Sequence, residues 1–375
     1  MARLELGSAA GLTAAHGATS NLASSLIISL DGMGGDHGPP VTVGGVHEYR
    51  KRHGGEGVRF LLHGDEKALA AEVKKVGVGD VCEIRPAEKV IAMDEKPAQA
   101  MRRGKGSSMW NAIETVKEGS AAGAVSAGNT GALMAISKLL LRMSAKGLER
   151  PAIVSSWPTL NGITAVLDVG ANISSDAEQL VDFAIMGEAF HAAIHGSTNP
   201  SIGILNVGSE DMKGHEEVRE AAAILKDNPF GLNYHGFVEG DDIAKGTVDV
   251  VVTDGFTGNI ALKTAEGTAR FISQIMRDAL TSNLQARAGA LLALPALRQM
   301  RARIDPGAIN GGPLLGLNGI VIKSHGGADA KGFGNAIRVA VDLARSDYTA
   351  KVGANLNRLD AVLHSDSSGP LETVS

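Results

Sequence analysis

"LIISLDGMGGDHGPP" (Leu26 to Pro40) sets a short apolar run against a stretch that packs nothing. The run reads as a strand. Beyond Asp31 come four glycines, an acid, a histidine and two prolines. A surface turn needs one or two glycines, whereas this many let the backbone come close to something else.

The same grammar recurs down the chain. Apolar runs at 26–30, 58–63, 81–85, 123–127, 152–156, 163–169, 201–207, 248–253 and 319–324 read as strands. Segments of helical period follow most of them, among them "DEKALAAEVKKV", "SMWNAIETVKEG", "GALMAISKLLLRM", "EEVREAAAILKD" and "NIALKTAEGTARFISQIMRDAL". Ser175-Asp-Ala-Glu178 spells a capping box ahead of another, "EQLVDFAIMGEAFHAAIH". Nearly continuous apolar strands alternating with helices predict an α/β fold, its parallel sheet covered on both faces.

Strand after strand ends in a polar residue and glycine: Asp31-Gly32, His63-Gly64, Asp168-Val-Gly170, Asn206-Val-Gly208, Asp254-Gly255, Ser324-His-Gly326. "VSAGNTGA" (Val125 to Ala132) does the same. In a parallel sheet the carboxyl ends of the strands share one crevice, where glycine backbone and helix N-termini receive ligands. These turns predict a small anionic ligand, a phosphate or a phosphorylated group. Ser324 and His325 either join that crevice or make a turn.

Composition bounds the rest. Of 375 residues, 48 are glycine, nearly twice the usual ~7%, with no Gly-X-Y period. A net charge of −5 and 3% aromatics exclude a nucleic-acid footprint or base-stacking platform. A single cysteine, Cys82, excludes an internal disulfide and fits a reducing compartment. No apolar run approaches the roughly 18 residues of a membrane span. Residues 1–24 read as a flexible leader, 25–347 as one α/β domain, and 348–375 as a terminal helix and frayed tail.

Several familiar chemistries fail the test of spacing. After Gly32 and Gly34, His37 stands where a dinucleotide fingerprint needs its third glycine. "RRGKGSS" follows no strand and breaks the Walker pattern, and no G-x-S-x-G elbow exists. His191 and His195 share a helix face without a flanking acid, and Cys82 lies inside a strand run.

Ala279 to Ile304 has its own physics: no acid, four arginines, and leucines near helical spacing, with Pro295 dividing it into two short helices. Leu284, Leu291 and Leu294 beside Arg287, Arg298 and Arg301 fit a basic amphipathic arm at about 279–304. Such an arm suits a membrane surface, an acidic partner protein, or a core or dimer interface.

"DGMGGDHGP", "RRGKGSSMWNAI", "SAGNTGA", "LDVGANI", "NVGSEDMKGHE", "VVVTDGFTGNIALKTAEG" and "PLLGLNGIVIKSHGGADAKGFGNAI" together resemble the successive motifs of the bacterial phosphate acyltransferases. They occur in family order from about Leu26 to Ala344. The chain departs from the pattern in its leader, in "AINGGPLLG" and at Gly334. The resemblance implies a Rossmann-like α/β/α fold related to the phosphotransacetylases, with a mainly parallel sheet and a protruding helical hairpin at the basic arm. It implies transfer of a fatty acyl group from acyl-acyl carrier protein to inorganic phosphate, giving acyl phosphate for phosphatidic acid synthesis. It also implies a homodimer, cytoplasmic and peripheral to the inner face of the membrane, feeding a glycerol-3-phosphate acyltransferase, with no cofactor and no metal. The alternatives are a phosphotransacylase using acyl coenzyme A, and a non-catalytic membrane scaffold.

The family pattern places an essential lysine at Lys213 and an essential asparagine at Asn259. Lys213 sits between a strand and a helix and can face the crevice as a charge or proton donor. Asn259 opens a helix, where its amide can donate to an oxyanion. For the phosphate cradle the expected residues are Gly34, Gly35 and His37 with Ser126, Gly128, Asn129, Thr130 and Gly131. Carboxylates repel an anion, so Asp31, Asp168 and Asp254, with Asn172, are expected to orient loops and helix ends.

Overall fold

The computed structural model describes residues 25–145, 148–227, 231–303 and 310–346, with 348, 350 and 352. The leader, most of the terminal segment and the side chain of Arg301 lie outside what is described.

Among the described residues eleven strands form one sheet: β1 (Leu26–Asp31), β2 (Val58–Gly64), β3 (Cys82–Pro86), β4 (Gly123–Ser126), β5 (Ala152–Thr159), β6 (Gly162–Leu167), β7 (Ser201–Leu205), β8 (Asn233–Val238), β9 (Val250–Val252), β10 (Gly312–Leu315) and β11 (Ile320–Lys323). Between them run α1 (Pro39–His53), α2 (Glu66–Val76), α3 (Pro97–Arg103), α4 (Ser108–Lys117), α5 (Thr130–Leu141), α6 (Ala177–His195), α7 (Glu216–Asp227), α8 (Gly240–Lys245), α9 (Gly255–Thr281), α10 (Leu284–Leu292), α11 (Leu294–Arg303) and α12 (Ala330–Arg345).

Successive strand residues face opposite sides, which is why the apolar runs are continuous. Val125, Leu167 and Ile322 join a core beneath α1, α2, α6, α7 and α12. Their neighbours Ala124, Val166 and Val321 join a second core beneath α4, α5 and α8. The result is three layers around a mixed, mainly parallel sheet.

The order is β3-β2-β1-β4-β11-β10-β5-β6-β9-β7-β8. Three neighbouring pairs are antiparallel: β11 with β10, β10 with β5, and β5 with β6. Three reversals set β1, β4 and β11 against β6, β9 and β7. The expectation that all strand ends open on one edge is therefore corrected: they open on two. Sheet twist of roughly 20–25° per strand accumulates to about 100–125° between β4 and β9. Directions that would oppose each other in a flat sheet are thereby brought to within about 55–80° of each other.

Other details differ from the sequence reading. The cap of α6 is Asp176, whose carboxylate accepts from the Gln179 N–H at 2.8 Å, in place of Ser175. Strands β8 and β10 and helices α1, α3, α8 and α12 add to the elements read from periodicity. The chain breaks at Ala293 between α10 and α11, with Pro295 in the first turn of α11. No side chain of α10 is buried, and α9 buries only Gly255 and Gly258 of its first turn. Beyond its start this long helix therefore stands away from the cores, with α10 beside it.

Candidate functional site

At the first edge three loops converge, following β1, β4 and β11. A side chain at Gly34 would strike an Asp31 carboxylate oxygen and come within 2.8 Å of the Gly128 nitrogen. Gly35, at φ 88°, has no room for one beside Ala127 and the Gly326 carbonyl. The Asp36 N–H donates to that same carbonyl at 2.9 Å. The opening glycines therefore serve, in the first place, to let three loops lie against one another.

Asp31 is fully buried at the centre of this meeting. It accepts from Ser126 Oγ at 2.7 Å, while Ser126 Oγ accepts from the Gly128 N–H at 3.0 Å. Burial raises the Asp31 carboxyl above its ordinary value. Asn129 caps α5 by accepting from the Ala132 N–H, and its amide donates to the carbonyls of Met93 and Glu95 at 2.8 and 2.9 Å. Its side chain is thus committed to holding the loops. The Thr130 and Gly131 N–H groups at the start of α5 donate to no group among the described residues. His37 is exposed in the loop that follows β1.

Lys323, at the end of β11, was missed by sequence reading. Its ammonium donates to the carbonyl oxygens of Ala127, at 3.3 Å, and Ser324, and makes no ion pair among the described residues. Burial is the main cause that lowers it to about 8, partly opposed by the charges of Asp31 and Asp36. Ser324 Oγ accepts from Asn310 at 2.8 Å, and the His325 N–H donates back to Asn310 at 2.9 Å, so this pair forms an anchored turn. Burial also lowers the His325 imidazole.

The second edge is built on Asp168. Its carboxylate accepts from the N–H groups of Ile153, Gly170, Ala171 and Asn172 and from the Asn172 amide, all between 2.7 and 3.2 Å. Even so, burial raises this carboxyl too. Asn172 donates to Pro151, and its carbonyl accepts from the Gly255 N–H at 2.7 Å, which locks the start of α9 onto the turn. Asp254 caps α9 through Thr257, accepting from both its N–H and its hydroxyl. Asn259 therefore does not open that helix; it lies one turn in, exposed, beside Gly170. Lys213 stands exposed in the loop after β7, which Asn206 curls by accepting from the Val207 N–H and donating to the Lys213 carbonyl.

Because β7 and β9 are adjacent and parallel, the Lys213 and Asn259 loops share one edge. Around them large apolar side chains face water: Ile173 is 82% exposed, Val207 79%, Met212 82%, and Phe256 and Ile260 more than half. The two edges meet along α9. Lys263, one turn beyond Asn259 on the same face, lies close enough to act electrostatically on Lys323 and His325.

Comparison with known proteins then assigns the lineage. The family described as "Fatty acid synthesis protein" matches residues 26–351. A phosphate acyltransferase of Caulobacter vibrioides is 64% identical over 93% of this chain and 96% of its own length. That of Phenylobacterium zucineum is 57% identical over 94% and 99%. The chain belongs to the bacterial phosphate acyltransferase family. As a member of this family it is an acyltransferase. Among solved structures, a phosphotransacetylase from Streptococcus pyogenes is similar over 86% of this chain and 95% of its own, with a TM-score of 0.58 at 18% identity. The EutD phosphotransacetylase from Staphylococcus aureus covers 85% and 94%, with a TM-score of 0.55 at 15% identity. These two likenesses describe the fold.

The remaining sequence candidates lie elsewhere. His191 is buried against the Ile163 carbonyl, and His195 contacts Ser156. Burial pushes the Cys82 thiol up to about 12, so it is no nucleophile near neutral pH. Among the described residues no three His, Cys, Asp or Glu side chains gather as metal ligands do.

Proposed function

We propose that this acyltransferase moves a long-chain fatty acyl group from acyl-acyl carrier protein to inorganic phosphate, giving acyl phosphate for phosphatidic acid synthesis. The observation that carries the reading is the apolar rim of Ile173, Val207, Met212, Phe256 and Ile260 around a lysine and an asparagine. It offers an open, greasy approach to two polar groups, which suits a fatty thioester presented on a protein-bound arm.

The chemistry follows from the groups. A phosphate oxygen attacks the thioester carbonyl, forming a C–O bond and a tetrahedral oxyanion; the C–S bond then breaks and the thiolate leaves. Asn259 donates to the oxyanion, an interaction worth about 2.7–4 kcal/mol in comparable sites. Lys213 neutralises the departing thiolate or gives it a proton. Phosphate is held from the first edge, where the α5 N-terminus offers the Thr130 and Gly131 N–H groups.

The arm and the outer face of α9 serve assembly. Phe271, Ile272 and Ile275 are more than half exposed along α9, and Leu284 and Leu292 on α10 are 82% and 86% exposed. We assign the α9 face to a homodimer contact and the α10–α11 arm, with Arg287 and Arg298, to the inner membrane surface or the acidic carrier protein. No helix among the described residues is long and apolar enough to cross a membrane. The acyl phosphate then passes to a glycerol-3-phosphate acyltransferase.

The carrier is tested by offering palmitoyl-carrier protein and palmitoyl coenzyme A separately with labelled phosphate. Acyl phosphate forms at least ten times faster from the carrier-protein thioester. Faster turnover from the coenzyme A thioester instead assigns the chain to the coenzyme A-dependent alternative.

A further inference from the structure

We propose that Lys323 is the phosphate-binding cation of this site, its ammonium holding the attacking phosphate against the N-terminus of α5. The inference deepens the function proposed above and rests on phosphate being a reactant.

The side chain sits where sequence and topology give it little other use. It ends β11, next to β4 in the sheet, and its nitrogen reaches the carbonyl of Ala127, just before the loop that opens α5. Both of its protein partners are neutral carbonyls. No carboxylate lies within ion-pairing distance of it among the described residues, although Asp31 and Asp36 act on it from further away. A desolvated ammonium without a close counter-ion is unfavourable unless an anion completes it. Three and four residues beyond Ala127 stand the unused N–H groups of Thr130 and Gly131, and a helix N-terminus favours the same negative charge.

Counter-charge for Asp31 is the competing role, and two observations weigh against it. Asp31 is already satisfied by Ser126, and its burial favours the neutral acid. With Asp31 so satisfied, the Lys323 ammonium keeps no close carboxylate among the described residues, and a phosphate dianion supplies the missing charge.

The test titrates inorganic phosphate into the full chain by calorimetry, without thioester, for wild type, Lys323→Met and Lys323→Arg. We expect Lys323→Met to weaken phosphate binding about 30-fold or more, and Lys323→Arg to retain part of it. In turnover the KM for phosphate rises by a similar factor in Lys323→Met while the KM for the thioester stays within about twofold. Titration with 4′-phosphopantetheine, a phosphate source on the carrier, should show no such loss. Wild-type phosphate affinity in Lys323→Met, no measurable phosphate binding by the wild type, or a loss confined to 4′-phosphopantetheine overturns the assignment. If the variants misfold, acetylation of Lys323 in the unmodified chain, read by peptide mass, must be slowed by phosphate, and unchanged labelling overturns the assignment. Tight phosphate binding through Lys323 without acyl phosphate formation from any thioester would leave this inference standing and remove the function.

Discussion

A single carboxylate organises the edge that carries Asn259. Asp168 accepts five separate N–H groups, and an acceptor-only carboxylate suits the turn because the turn presents donors only. Replacing Asp168 with Asn turns one acceptor into a donor facing donors. We expect a loss of about 2–3 kcal/mol of stability, read by denaturant unfolding. An unchanged midpoint would show that the turn is held by other means. At the opposite edge Lys323 sets a pH dependence. In the free protein its ammonium is lost near pH 8, and bound phosphate raises that value. Binding therefore takes up a proton in the window above about 8, so phosphate affinity falls as pH rises through it. The charges of Asp31 and Asp36 oppose loss of the ammonium and Lys263, itself paired with Glu266, favours it, while Lys263, Glu266 and Arg270 act on the neighbouring His325. Calorimetric affinities from pH 7 to 9.5 that stay flat would contradict this account.

Helix α9 is the element that joins the parts. Its start is pressed onto the Asp168 turn so closely that a methyl at Gly258 would collide with the Asp168 carbonyl. Gly258→Ala should cost about 1–3 kcal/mol by overpacking and lower turnover by displacing Asn259, both visible in melting and rate measurements. Further along, Leu284→Glu with Leu292→Glu places charge on the exposed face of α10. These changes should abolish binding to anionic vesicles while leaving turnover of water-soluble short-chain thioesters unchanged. Retained vesicle binding would move the arm's role to the carrier protein. The elements also show what sequence can reveal. Strands such as β9, three buried valines, announced themselves. Helix α1, "PPVTVGGVHEYRKRH", did not, because its paired glycines and valines disfavour helix and its two prolines, which suit a first turn, read equally as part of the preceding loop. It forms because Thr42, Val43, Val46 and Tyr49 bury a face, and α12 packs across it. Strand β8 hid for the opposite reason: as an edge strand it is mostly half-exposed and polar.

At the scale of the whole molecule, the glycine turns after the strands marked the loops, but not how those loops are shared between two edges. That division is set by β10 and β5, whose antiparallel pairings join residues more than 150 positions apart, a relation that no local pattern records. Lys323 was invisible for a related reason: it matters through the carbonyl of Ala127, 196 residues earlier. Lys213 and Asn259 were legible only through family resemblance, since an exposed lysine and an exposed helical asparagine carry no local signature. The measurement that tests the account most directly follows acyl phosphate formed from acyl-acyl carrier protein and labelled phosphate. It compares wild type with Lys213→Ala and Asn259→Ala, each checked for an unchanged melting profile. The account predicts robust turnover in the wild type and a loss of about a hundredfold or more in both variants. Full activity in the two variants would contradict it.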